Sequence, residues 1–119
     1  MPKKDSRLII YEKMCNLIFY SKNLMVKFPK VERFGMCTEI KKEELDIIRL
    51  IMCAWKEKDN KIRIQYLMKA DVEIYVLKTY TRIAFKARYI SDQNFKAWNE
   101  QLTEIGKMIG GWLKTCQKD

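Results

Sequence analysis

Histidine is absent from this chain of 119 residues. That removes the usual general base and the commonest metal ligand, and with them a helical ribonuclease built on an Arg and His pair. Proline occurs twice and glycine four times, too seldom for a loop-rich, collagen-like or disordered chain. Lys or Glu interrupts every apolar stretch within a few positions, so no run approaches the ~20 residues of a membrane-spanning helix. Leu8-Ile9-Ile10-Tyr11, followed at once by Glu12 and Lys13, is too short for a signal-peptide core. The expectation is a cytoplasmic protein. The four cysteines, Cys15, Cys37, Cys53 and Cys116, match neither a zinc framework nor a redox pair, and each falls in a helical apolar pattern as a small buried side chain.

What is present is apolar periodicity at alternating steps of three and four. Phe95, Trp98, Leu102, Ile105, Ile109, Trp112 and Cys116 form one such seam, with Ser91 as N-cap before Asp92. A second contains Leu67, Ala70, Ile74, Leu77, Thr81 and Ala84, whose small members imply a close neighbour. A third runs through Tyr11, Met14, Ile18, Ser21, Met25 and Phe28, widened by Leu8, Cys15, Phe19 and Val26 and closed by Pro29. The fourth reads Cys37, Ile40, Ile47, Ile48, Ile51 and Trp55, with Gly35 inside it. These seams predict one domain over 1–119, with helices at about 8–28, 31–58, 61–89 and 92–116. Short connections favour an all-α, antiparallel, up-down-up-down four-helix bundle. Leu50, Met52, Tyr66, Tyr75, Tyr80 and Phe85 fall off the seams, and apolar arcs this wide imply a second surface, commonly another copy of the chain.

Net charge is +9, and it is unevenly spread: residues 1–30 and 61–90 each carry seven Lys/Arg against two acids, while 31–60 comes to −1 and 91–119 to zero. Lys78, Arg82 and Lys86 recur every four residues, flanked by Tyr75, Tyr80 and Tyr89. Such a stripe suits phosphates, with aromatic rings for unpaired bases; a solvated face is the alternative, but would interleave acids at i to i+4. Lys30 and Arg33, in the first connection, join the stripe as candidate nucleic-acid or partner contacts. Asp71 and Glu73 are two apart and point to different faces, which argues against a paired-carboxylate mechanism; Asp71 suits an ion pair, with Arg33 as a candidate partner. No catalytic residue, cofactor site or metal site emerges. Gly106, Gly110 and Gly111 suggest close packing of the last helix, since each costs about 1 kcal/mol against alanine in a helix.

Two segments carry a resemblance. Phe28-Pro29-Lys30-Val31-Glu32-Arg33-Phe34-Gly35 resembles the junction between helices one and two of the small "four helix bundle" proteins. These include the ribosomal RNA intervening-sequence proteins and the accessory variability determinants (Avd) of diversity-generating retroelements. Glu104-Ile105-Gly106-Lys107-Met108-Ile109-Gly110-Gly111-Trp112-Leu113 resembles the final helix of the Avd branch. With Asp71-Val72-Glu73 the match spans about Leu8 to Leu113. The intervening-sequence branch carries Asn-Ile-Ala-Glu-Gly where this chain has Met52-Cys53-Ala54-Trp55-Lys56, which points to Avd. Glu39 stands where family members often have Gln, and Lys41-Lys42 keep the bases that follow it. The resemblance implies a ring-like homopentamer of bundles and a basic outer surface that engages a reverse transcriptase and its structured RNA in mutagenic retrohoming. Basic positions of the family's third helix fall on Lys78 and Arg82. A ribosomal-RNA-associated bundle and a purely structural homo-oligomer are the alternatives.

Overall fold

Local chemistry sets the helix ends, and the helix ends set the bundle. The computed structural model describes residues 6–118, in which α1 spans Ser6–Met25, α2 Met36–Lys56, α3 Asn60–Lys86 and α4 Asp92–Gln117, with a 3-10 turn at Lys30–Glu32. The charges at Lys3 and Lys4 lie outside the described residues. Among those described there is no strand, and no helix is long and apolar enough to cross a membrane. Each helix packs on its neighbours in the chain and α1 closes against α4, so the four stand in the order α1, α2, α3, α4 around a square. The α1–α2 pair has the sparsest contact of the four.

Ser91 caps α4 by accepting the Asn94 N–H at 3.1 Å, and Asp59 caps α3 by accepting that of Lys61 at 2.9 Å. The expected start of the second helix at Val31 is corrected to Met36. Gly35 is the N-cap and not an interior residue; a Cβ there would stand 3.0 Å from Glu32 Oε1, which accepts the Met36 N–H at 3.1 Å. A side chain at this position would press on the Glu32 carboxylate, which would have to shift by a few tenths of an ångström to keep its bond to Met36. At the far end of α2 the Arg63 guanidinium donates to the carbonyls of Ala54 and Glu57, satisfying backbone acceptors that the helix leaves open. α3 ends at Lys86 instead of Tyr89, because Arg88 enters the left-handed region (φ 63°) and Tyr89 N–H bonds back to Ala84 O at 3.0 Å. α1 ends at Met25, three residues before the expected Phe28.

The third- and fourth-helix seams are buried as read, from Leu67 to Ala84 and from Trp98 to Cys116, with Phe95 and Trp112 partly buried against the core. The first-helix seam is displaced: Ile10, Met14, Leu17, Ser21, Leu24, Met25 and Phe28 are buried, whereas Tyr11 and Ile18 are only half-buried and Phe19 and Val26 are exposed. Cys15 is exposed and Cys53 half-buried, so the expectation of four buried cysteines holds only for Cys37 and Cys116. Gly106 would place a Cβ 3.6 Å from Ile74, an ordinary contact, while Gly110 and Gly111 face open space. Close packing within the bundle therefore does not account for the glycines.

Two glutamates, Glu43 and Glu44, are buried in the gap that the apolar seam of α2 leaves between Ile40 and Ile47. Glu44 is 1% exposed, and burial pushes its carboxyl from an ordinary 4.5 up to about 8, opposed by a hydrogen bond from Ser21 and the charge of Lys41. The Trp98 indole N–H donates to Ser21 Oγ at 2.8 Å, so a chain of hydrogen bonds links α4, α1 and α2. Glu44 Oε2 has no hydrogen-bond partner among the described residues. One residue earlier, Glu43 is raised by burial and by hydrogen bonding to Glu73 of α3, with Asp46 adding like charge. Two carboxyls, Glu43 and Glu73, thus meet across the α2–α3 interface, a pair that the spacing of Asp71 and Glu73 along α3 does not reveal.

Candidate nucleic-acid interface

The third helix turns Lys78 and Arg82 toward α4. Both line a cleft of about 390 Å³ with Tyr75, Thr79, Phe95 and Asn99. Lys78 Nζ lies 5.4 Å from the centroid of the Tyr75 ring, close enough for a cation–π contact that steadies the ammonium. Phe95 is fixed from beneath by Phe85, with ring centroids 4.4 Å apart and planes 9° from parallel. Tyr75 is 64% exposed, so its ring is open to a stacking partner. Lys86, exposed, lies one turn further on. None of Lys78, Arg82 and Lys86 takes part in an ion pair among the described residues.

Of the three tyrosines expected to flank the stripe, only Tyr75 is available. Tyr89 is committed elsewhere: its hydroxyl donates to Glu32 Oε2 at 2.8 Å and its ring packs 5.2 Å from Phe28. That bond raises its phenol above the usual range. Tyr80 is half-buried against the core. The acids of α3 do face different ways, Glu73 toward Glu43 on α2 and Asp71 into a small cleft shared with Lys78 and Lys107. Asp71 makes no ion pair with Arg33 among the described residues; Arg33 lies in the α1–α2 connection at the end of the bundle.

Lys30 and Arg33 are not continuous with the stripe. They line a second cleft, about 380 Å³, together with Lys22 of α1 and Lys41 of α2. Because α1–α2 and α3–α4 are opposite sides of the square, the two basic sites face away from each other. Periodicity along a single helix exposes the stripe, whereas Lys22 and Lys41 belong to the second site only through the loop that joins their helices. Among the described residues no group of three or more metal-ligating side chains is gathered.

The fold and its two charged clefts define a small, basic four-helix-bundle protein. A protein of unknown function from the S23 ribosomal protein family of Bacteroides thetaiotaomicron has a similar fold, with a TM-score of 0.82 over 92% of this chain and 99% of that one, at 18% identity. No curated protein matches the sequence. The model of the bAvd-like family matches residues 8–116, and the chain belongs to that family. It is therefore an Avd-like protein of an accessory, non-enzymatic family.

Proposed function

We propose that the protein is a basic, oligomeric accessory subunit that binds a reverse transcriptase and its structured RNA in a diversity-generating retroelement, leaving polymerase chemistry to that partner. The observation that carries this reading is the α3–α4 cleft, where Lys78 and Arg82 stand beside the exposed Tyr75 ring with no ion pair among the described residues. Unpaired cations hold phosphates through charge, and an accessible aromatic face adds stacking on unpaired bases. The stripe lacks the interleaved acids of a merely solvated helix.

Self-assembly is the second part of the proposal, as a homopentamer. Its support is the apolar surface left outside the bundle: Phe19 on α1, Leu45 and Met52 on α2, and Met68, Val72, Val76 and Ile83 on α3 are all exposed. On α3 they recur at steps of four and seven, a coherent stripe distinct from the buried seam. Co-purification with a co-expressed reverse transcriptase of a diversity-generating retroelement, with and without RNA, tests the partner assignment. Binding to that enzyme by the wild type and its loss in Lys78→Ala/Arg82→Ala is the expected result; no association under any salt condition would contradict it.

A further inference from the structure

The cleft between α1 and α2 has a composition unlike the rest of the surface. Lys22, Lys30, Arg33 and Lys41 surround one concave space, over an apolar floor that includes Met25 and Phe28. None of the four cations is in an ion pair among the described residues. The acid nearest them in the chain, Glu32, has both oxygens engaged, Oε1 by the Met36 N–H and Oε2 by the Tyr89 hydroxyl, and it does not line the cleft. Four like charges around one cleft give it a positive potential that favours an anion.

We propose that this cleft is a binding site for a nucleotide phosphomonoester. It is separate from the α3 stripe and lies on the opposite side of the bundle. A phosphodiester brings one negative charge, whereas a phosphomonoester brings about 1.5 to 2 at neutral pH. Four cationic residues lining one cleft match the more highly charged group. The apolar floor accepts the sugar and base that a bare inorganic anion would lack, and the volume of about 380 Å³ is that of a small-ligand pocket. The same chemistry is offered by a free mononucleotide and by the 5′-phosphorylated end of an RNA. The inference rests on the proposed nucleic-acid role for its setting, but on different residues for its substance.

The test is titration calorimetry of the full chain with adenosine 5′-monophosphate, with adenosine and inorganic phosphate as controls, followed by binding of short RNAs differing only in a 5′-phosphate or 5′-hydroxyl. Saturable binding of the monophosphate, stronger than that of either control, is expected. It should weaken by roughly tenfold or more in Lys22→Ala/Lys41→Ala, the scale of losing a charge-assisted hydrogen bond. Lys22 and Lys41 are exposed, so the double variant keeps its core; Arg33→Ala, in the connection, gives an independent check. A preference for the phosphorylated RNA that disappears in the same variants identifies an RNA end as the source, and equal binding of the two RNAs identifies the free nucleotide. No saturable monophosphate binding, or binding that both variants leave unchanged, overturns the proposal. Lys78→Ala/Arg82→Ala should leave monophosphate binding intact while weakening hydroxyl-ended RNA, so failure of the stripe and failure of this cleft are distinguishable.

Discussion

Replacing Glu44 by Gln should flatten the pH dependence of stability. In the fold its carboxyl is pushed up to about 8, against 4.5 ordinarily, because it is almost fully buried and Oε2 finds no donor among the described residues. At about 1.4 kcal/mol for each pH unit, the neutral form is favoured by about 5 kcal/mol relative to the unfolded chain. The folded state therefore holds the proton where the unfolded state has released it. By linkage, stability is then greatest below pH ~4.5 as far as this group is concerned, and falls as pH rises toward ~8. By pH 7 about 3 kcal/mol has been lost, a large share of a typical total of about 5–15 kcal/mol. Glutamine keeps the shape without the titration. Urea unfolding at fixed protein concentration and at pH 5, 6.5 and 8 should show wild-type stability falling across the series and Glu44→Gln falling by several kcal/mol less. Glu43, raised for related reasons, leaves a residual slope that Glu43→Gln/Glu44→Gln removes. A wild-type slope fully retained in Glu44→Gln, or stability that rises toward pH 8, would refute the reasoning.

Three other outcomes follow from the same structure. Ser21→Ala should cost about 1–3 kcal/mol in urea unfolding, because the Trp98 indole N–H loses its buried acceptor; an unchanged midpoint would mean another acceptor replaces it. Val72→Lys/Val76→Lys places two charges on the outer α3 stripe, and light scattering should show a smaller particle with wild-type helicity; an unchanged mass would remove the stripe from the assembly. Purified protein with magnesium should leave labelled RNA intact, and cleavage that survives repurification and tracks with point variants would contradict the accessory role.

Legibility in the sequence varied with how sharply each helix divides apolar from polar. Along α4 the seam lies at the positions read from spacing, because polar residues occupy most of the remaining arc; the α3 seam also lies where it was read, although Met68, Val72, Val76 and Ile83 form a second, exposed apolar stripe beside it. α1 has apolar residues nearly all round, so two stripes compete and spacing alone does not fix which one faces inward; Leu17 and Leu24 took the core while Phe19 and Val26 were left outside. Glu43 and Glu44 are invisible to apolar periodicity, since their burial depends on Glu73 and Ser21 from other helices. Of the candidate site, Lys78, Arg82 and Lys86 are local to one helix and could be read directly. The grouping of Lys30 and Arg33 with Lys22 and Lys41 depends on a turn whose path is set by Glu32 and Gly35.

The central claim, that the α3 stripe binds RNA through charge, is tested most directly by the salt dependence of RNA affinity in Lys78→Ala/Arg82→Ala. Each phosphate contact contributes about −0.7 to −0.9 to the slope of log affinity against log salt. Removing two cations should weaken binding and make the slope shallower by about 1.4 to 1.8, with oligomer mass and helicity unchanged. An unaltered affinity and slope in the correctly assembled variant would contradict the account and leave Lys78 and Arg82 as a solvated face.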